Sequence, residues 1–118
     1  MNQKWCFSIL CNDLWMEFSG FDSIIGATET LSLWLSDDVR DHNDYLEIIN
    51  KILIGELKNE LLWGNGYKAY VDRDYTEIHF NFEDEDSSVK PCKLPTKLLR
   101  EIVEVWLEEY EKFRNSKK

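Results

Sequence analysis

Hydrophobic positions change period along this chain, and the changes mark out its elements. Thr76, Ile78, Phe80 and Phe82 alternate with Glu77, His79 and Asn81, which predicts a strand with one apolar and one polar face. Just before it, Tyr67, Ala69 and Val71 alternate with Lys68, Tyr70 and Asp72, and Asp72-Arg73-Asp74 supplies a turn. Two antiparallel strands around a short connection follow from this pattern. Trp63-Gly64-Asn65-Gly66 is the strongest turn signal in the chain. Lys4 to Leu10 and Leu14 to Phe18 are rich in aromatic and β-branched residues around Asn12-Asp13, predicting an N-terminal hairpin that Ser19-Gly20 ends. Pro91 and Pro95 bracket a short extended piece.

Three segments carry helical spacing instead. Ile24, Ala27, Leu31, Trp34 and Leu35 predict a helix capped by Asp22 or Ser23 and running to about Leu35. Leu46, Ile49, Ile52 and Leu53 stripe a second helix that starts near Asn43 or Asp44, where Glu47 completes a capping-box-like pair. Gly55 is placed to end it. Pro95-Thr96 opens the third, whose face carries Leu98, Ile102, Trp106, Tyr110 and Phe113. Such stripes must be covered. The predicted architecture is therefore α+β: one small domain spanning 1–118, an antiparallel β-sheet with about three helices packed on it.

Charge narrows the function. The chain has 118 residues, 14 Lys+Arg against 23 Asp+Glu, and a formal net charge of −9. A nucleic-acid binder needs a basic patch to displace counterions from phosphates, and anionic lipid makes the same demand. Direct nucleic-acid binding and membrane docking are both expected to be absent. No run approaches the roughly 18 apolar residues of a membrane span, and no leader pattern is visible near Lys4. Three cysteines, Cys6, Cys11 and Cys92, are an odd number, which fits a reducing compartment. A cytoplasmic location is expected.

Catalytic chemistry is hard to find. His42 falls in an acidic connection and His79 on the polar face of a strand, and both read as exposed. Cys6 and Cys92 read as small hydrophobes and Cys11 as a turn residue, with no zinc spacing among them. Gly64-Asn65-Gly66 is too short for a phosphate loop. Asp72, Asp74, Thr76 and Glu83 match positions 1, 3, 5 and 12 of a calcium loop, but Glu77 stands where glycine is required. Trp34 and Trp106 lie on helical stripes and read as core. Trp5, Trp15 and Trp63 stay open between core and surface. No catalytic residue, metal ligand or cofactor is assigned, and the chain is not expected to be an enzyme.

What remains is acid in three predicted turns: Asp37, Asp38, Asp41 and Asp44; Asp72 and Asp74; and Glu83, Asp84, Glu85 and Asp86. Side chains in turns are free to meet a partner. A negative surface steers and selects a basic protein, whereas scattered acids merely aid solubility. Tyr70 joins the candidate surface because it falls on the polar side of its strand, opposite Ala69 and Val71.

The layout resembles the small immunity proteins of bacterial polymorphic toxin systems, in particular those guarding against contact-dependent growth inhibition toxins. The resemblance rests on Trp15-Met16-Glu17-Phe18-Ser19-Gly20-Phe21, Leu31-Ser32-Leu33-Trp34-Leu35, Trp63-Gly64-Asn65-Gly66-Tyr67 and Val105-Trp106-Leu107. It implies a cytoplasmic inhibitor that binds the C-terminal domain of a cognate toxin, often a basic nuclease, and occludes its active or substrate-binding surface. No family site transfers residue by residue. Tyr45, Tyr67, Tyr70 and Tyr75 are the aromatic anchors such a reading would test first. The alternative is an acidic regulatory or adaptor module for another basic protein. A homo-oligomer is left open.

Overall fold

The computed structural model describes residues 4–42, 44–81 and 90–116. The chain runs β1 (Lys4–Leu10), β2 (Asp13–Ser19), β3 (Ile25–Gly26), α1 (Thr28–Asp37), a 3₁₀ turn (Val39–Asp41), α2 (Tyr45–Leu53), β4 (Asn59–Trp63), β5 (Tyr67–Asp72), β6 (Tyr75–Phe80), β7 (Cys92–Pro95) and α3 (Thr96–Ser116). The α+β class holds. β1 and β2 form a two-stranded sheet, and the other strands form a five-stranded sheet in the order β3-β7-β6-β5-β4. Every pairing is antiparallel.

Alternation decides which sheet face is buried. Leu62, Ala69, Val71, Thr76, Ile78, Cys92 and Leu94 turn inward and lose their water. Against them pack Leu31, Trp34 and Leu35 of α1, Ile49 and Ile52 of α2, and Leu99, Ile102, Val103 and Trp106 of α3. Both expected core tryptophans, Trp34 and Trp106, are fully buried. α1 and α3 each contact the five-stranded sheet and also β2, so they lie between the two sheets. The Ser32 hydroxyl donates to the Met16 carbonyl at 2.6 Å, and Phe7 stacks on Trp106 at 6.4 Å, which together hold the hairpin on the helices.

The hairpin turns at Cys11 and Asn12, one residue earlier than predicted. Both have positive φ, 53° and 64°, the backbone that two-residue hairpin turns demand. Of the two cysteines read as small hydrophobes, Cys92 is buried and Cys6 lies exposed on β1. α1 starts at Thr28, several residues later than its apolar spacing suggests. The reason is β3: Ile25 and Gly26 pair with Lys93 and Cys92, which draws the chain into the sheet first. Gly26 has φ +92°, and a β-carbon there would collide with the Pro91 carbonyl. α3 begins where predicted. Its first residue, Thr96, donates its backbone N–H to the Asp74 carbonyl at 3.0 Å, and its hydroxyl donates to the Asp72 carbonyl.

Asp38 corrects the largest expectation. It was assigned to an exposed acidic turn, yet its relative exposure is 0%. Its Oδ1 accepts the Asn65 N–H at 2.9 Å and the Gly66 N–H at 3.2 Å, and its Oδ2 accepts the Tyr67 N–H at 2.9 Å. The carboxylate thus stands in for a strand partner and pins the β4–β5 turn to the end of α1. Gly64 lets it come so close, because a β-carbon at that position would overlap the Asp38 carboxyl. Gly66 has open space around its Cα.

Burial is the largest influence on Asp38 and pushes its carboxyl above the usual value of 3.8, against the pull of the three N–H bonds and His42. Ionisation therefore costs folding free energy. The contribution of this group is full below about pH 3.8 and falls as pH rises through its folded value. Gly64→Ala is expected to lose about 2 kcal/mol, whereas Gly66→Ala should stay within about 0.5 kcal/mol, both read from urea unfolding. Asp38→Asn sets an amide N–H against a backbone N–H and should lose about 2 kcal/mol at neutral pH. Because the variant cannot ionise, its deficit relative to the parent should widen as pH is lowered from neutral towards 4.

Candidate functional site

The opposite face of the five-stranded sheet is the notable surface of this molecule. Its residues form a row across all five strands: Leu61 pairs with Tyr70, Tyr70 with Glu77, Glu77 with Lys93, and Lys93 with Ile25. A second row runs Trp63–Lys68–His79, and Asn59 and Asp72 form a third across β4 and β5. Tyr75, opposite Pro95, completes the face at the start of β6.

Ordinarily the outer face of a half-buried sheet is polar. Here Ile25, Leu61, Trp63, Tyr70 and Tyr75 are all exposed, with Trp63 at 60%. Among the described residues the other large exposed apolar side chains lie elsewhere, Ile9 and Leu10 at the hairpin tip and Ile54 after α2. Two of these rings lie beside an ammonium group. The Lys68 ammonium sits 5.4 Å from the Trp63 ring centre, and the Lys93 ammonium sits 5.1 Å from that of Tyr75. Tyr70 meets His79 edge to face at 5.6 Å, and His79 Nε2 lies 3.7 Å from Glu77 Oε1.

An open depression runs between Tyr70 and Tyr75. Glu60, Asp72, Asp74 and Glu77 line it, against the single ammonium of Lys93. Aromatic rings with carboxylates among them suit a basic side chain or loop: the rings offer apolar and cation–π contact, and the carboxylates offer charge-assisted hydrogen bonds.

The predicted site residues divide. Tyr70, Asp72 and Asp74 come together on this face. Asp37, Asp41 and Asp44 are exposed but belong to the α1–α2 connection, where Arg40 bridges Asp13 at 2.8 Å and approaches Asp41 at 3.9 Å. Burial and the neighbouring Asp38 raise the Asp37 carboxyl above its usual value. Asp38 is internal and offers no surface. The α1 end meets the Tyr67 end of β5, while Asp72 lies at the other end, about 16 Å away along the strand. The two clusters are not one continuous patch. Glu83, Asp84, Glu85 and Asp86 lie outside the described residues.

Two expected anchors are corrected: Tyr45 and Tyr67 are each only 4% exposed, and burial pushes both phenols up to about 12. Nor are the histidines fully exposed. Both are half-buried, His42 stacked on Tyr45 at 4.6 Å and His79 on the open face. Leu61, Trp63, Glu60, Glu77 and Lys93 were not singled out for this surface. The signal was available for part of it: Glu77 and Tyr75 share the polar side of β6 with His79. The other half needed β4, whose five residues have no clear alternation.

The calcium-like spacing dissolves because Thr76 points into the core, where its hydroxyl lies 2.9 Å from that of Thr96, while Asp72 and Asp74 stay in solvent. Among the described residues no group of three His, Cys, Asp or Glu side chains is placed to hold a metal ion. Cys92 is buried, which pushes its thiol up to about 12. Among the same residues no helix is long and apolar enough to cross a membrane.

The fold and site together define a small α+β domain with an open aromatic and acidic sheet face. No family model, curated protein or solved structure matches the chain. Because the rings on this face are half exposed and make only surface contacts, Tyr70→Ser and Tyr75→Ser should each change stability by less than about 1 kcal/mol, whereas Ile78→Ala, inward on β6, should lose about 3 kcal/mol in urea unfolding.

Proposed function

We propose that this protein is a stoichiometric, non-catalytic inhibitor that binds a basic partner protein through the open face of its five-stranded sheet. The partner best suited to the reading is the C-terminal domain of a bacterial toxin, a nuclease by preference, so that the chain acts as a cytoplasmic immunity protein. The observation that carries this is the concentration of Leu61, Trp63, Tyr70, Tyr75 and Ile25 on one solvent-facing surface, beside four carboxylates and the ammonium groups of Lys68 and Lys93. Exposed apolar surface of this kind marks interaction sites, and Trp and Tyr anchors dominate protein interfaces. A nuclease must hold phosphates on a basic surface, and an acidic face can occupy it and exclude substrate.

The reading expects a toxin gene beside this one, and the test is co-expression with the C-terminal fragment it encodes, followed by co-purification and an assay of toxin activity. A one-to-one complex with loss of toxicity is expected. Tyr70→Ala should weaken the complex by about thirtyfold, the effect of a central anchor. The pair Asp72→Lys and Glu77→Lys should slow association most at low salt. A fragment that neither binds nor loses activity overturns the toxin reading. Capture of a different basic protein by the same face would instead favour an acidic adaptor or regulatory module.

A further inference from the structure

We propose that the basic partner inserts an extended segment along the free edge of β4, adding a strand to the sheet. This rests on the reading that a basic protein docks on the open face, and it names how the chain is gripped.

β4 closes one end of the five-stranded order, so among the described residues no strand pairs with its far side. The Leu61 N–H donates to the Glu60 carboxylate at 3.2 Å, so it points off the edge and not towards β5. In an antiparallel ladder alternate residues share that direction, which turns the amides of Asn59 and Trp63 outward with it. Exposed edges are ordinarily blunted by lysine or proline, and Asn59-Glu60-Leu61-Leu62-Trp63 contains neither.

The other edges are poorer docks. β3 has only two residues. β2 packs against α1, whose Ser32 hydroxyl reaches the outward Met16 carbonyl, so a helix covers that strand. β1 carries no carboxylate and begins at Lys4.

Charge selects the occupant. Glu60 lies on β4, Asp72 at the end of β5, Asp74 in the turn that follows and Glu77 on β6. A second copy of this chain would bring a formal charge of −9 against −9. A strand with lysine or arginine at alternate positions would instead turn those cations onto the open face, alongside Leu61 and Trp63 and towards Asp72 and Glu77. Backbone pairing supplies affinity in such strand addition, and alternate side chains supply specificity.

The experiment uses the toxin fragment of the preceding section and the unsubstituted protein. Amide exchange at Asn59, Leu61 and Trp63 is followed by NMR with and without the fragment. Exchange at these amides should slow at least about tenfold on binding, beyond any change at the outward amides of β1. Leu61→Pro removes an outward donor without taking a rung from β5, and should weaken binding about tenfold by calorimetry, whereas Leu61→Ala, which keeps the amide, should weaken it less. Binding that leaves the β4 amides exchanging as in the free protein overturns strand addition while the open-face reading stands. Protection of those amides in a dimer of the free protein also overturns it. A fragment that fails to bind the unsubstituted chain removes both proposals.

Discussion

The Asp38 carboxylate accepts backbone N–H groups from three consecutive residues, Asn65, Gly66 and Tyr67, inside a fully buried site. A charge in such a place is tolerated only when it is richly hydrogen-bonded. The bonds satisfy amides that the tight turn cannot pair internally, and they tie α1 to the β4–β5 hairpin. Asn81 reinforces the same corner: its side-chain amide donates to the Gly64 carbonyl at 3.0 Å and its backbone N–H donates to the Gly66 carbonyl at 2.9 Å. The orientation of the sheet on its helices depends on this corner, and so does the direction in which the other sheet face looks.

At the far end of β5 a second junction does similar work with hydroxyls. Thr96 receives the β5–β6 turn at the first residue of α3, bonding to backbone at Asp72 and Asp74 and to the hydroxyl of Thr76. The two carboxylates on this turn are thereby presented outward by a backbone that is held from inside. With β5 anchored at both ends, Tyr70 stands on a rigid platform midway between them. An aromatic anchor presented this way gives up little conformational freedom when it meets a partner.

The distribution of acid also takes on meaning once the fold is known. Aspartates that look alike in sequence do three different things. Asp38 is structural. Asp13 and Asp41 share Arg40 at the surface. Asp72 and Asp74 stand with Glu60 and Glu77 around the depression on the open face. Only the last group is joined to exposed aromatic side chains, which is why that face, and not the acid-rich α1–α2 connection, is the better binding surface.

Local rules determined a good deal from sequence alone. Period-2 alternation identified β5 and β6, helical stripes identified α2 and α3 with nearly their observed limits, and the α+β class followed from amphipathic segments that needed mutual cover. Tyr70 was placed correctly because a residue's face on a strand is set by its immediate neighbours. Tertiary structure alone decided the rest. β3 and β4 have no strong local pattern and exist because β7 and β5 offer them partners. Asp38 reads as one more surface acid until a turn nearly thirty residues away brings its amides to it. The open face, finally, is a property of register: Leu61, Tyr70, Glu77, Lys93 and Ile25 become neighbours only through pairings across five strands, and no spacing along the chain encodes that row.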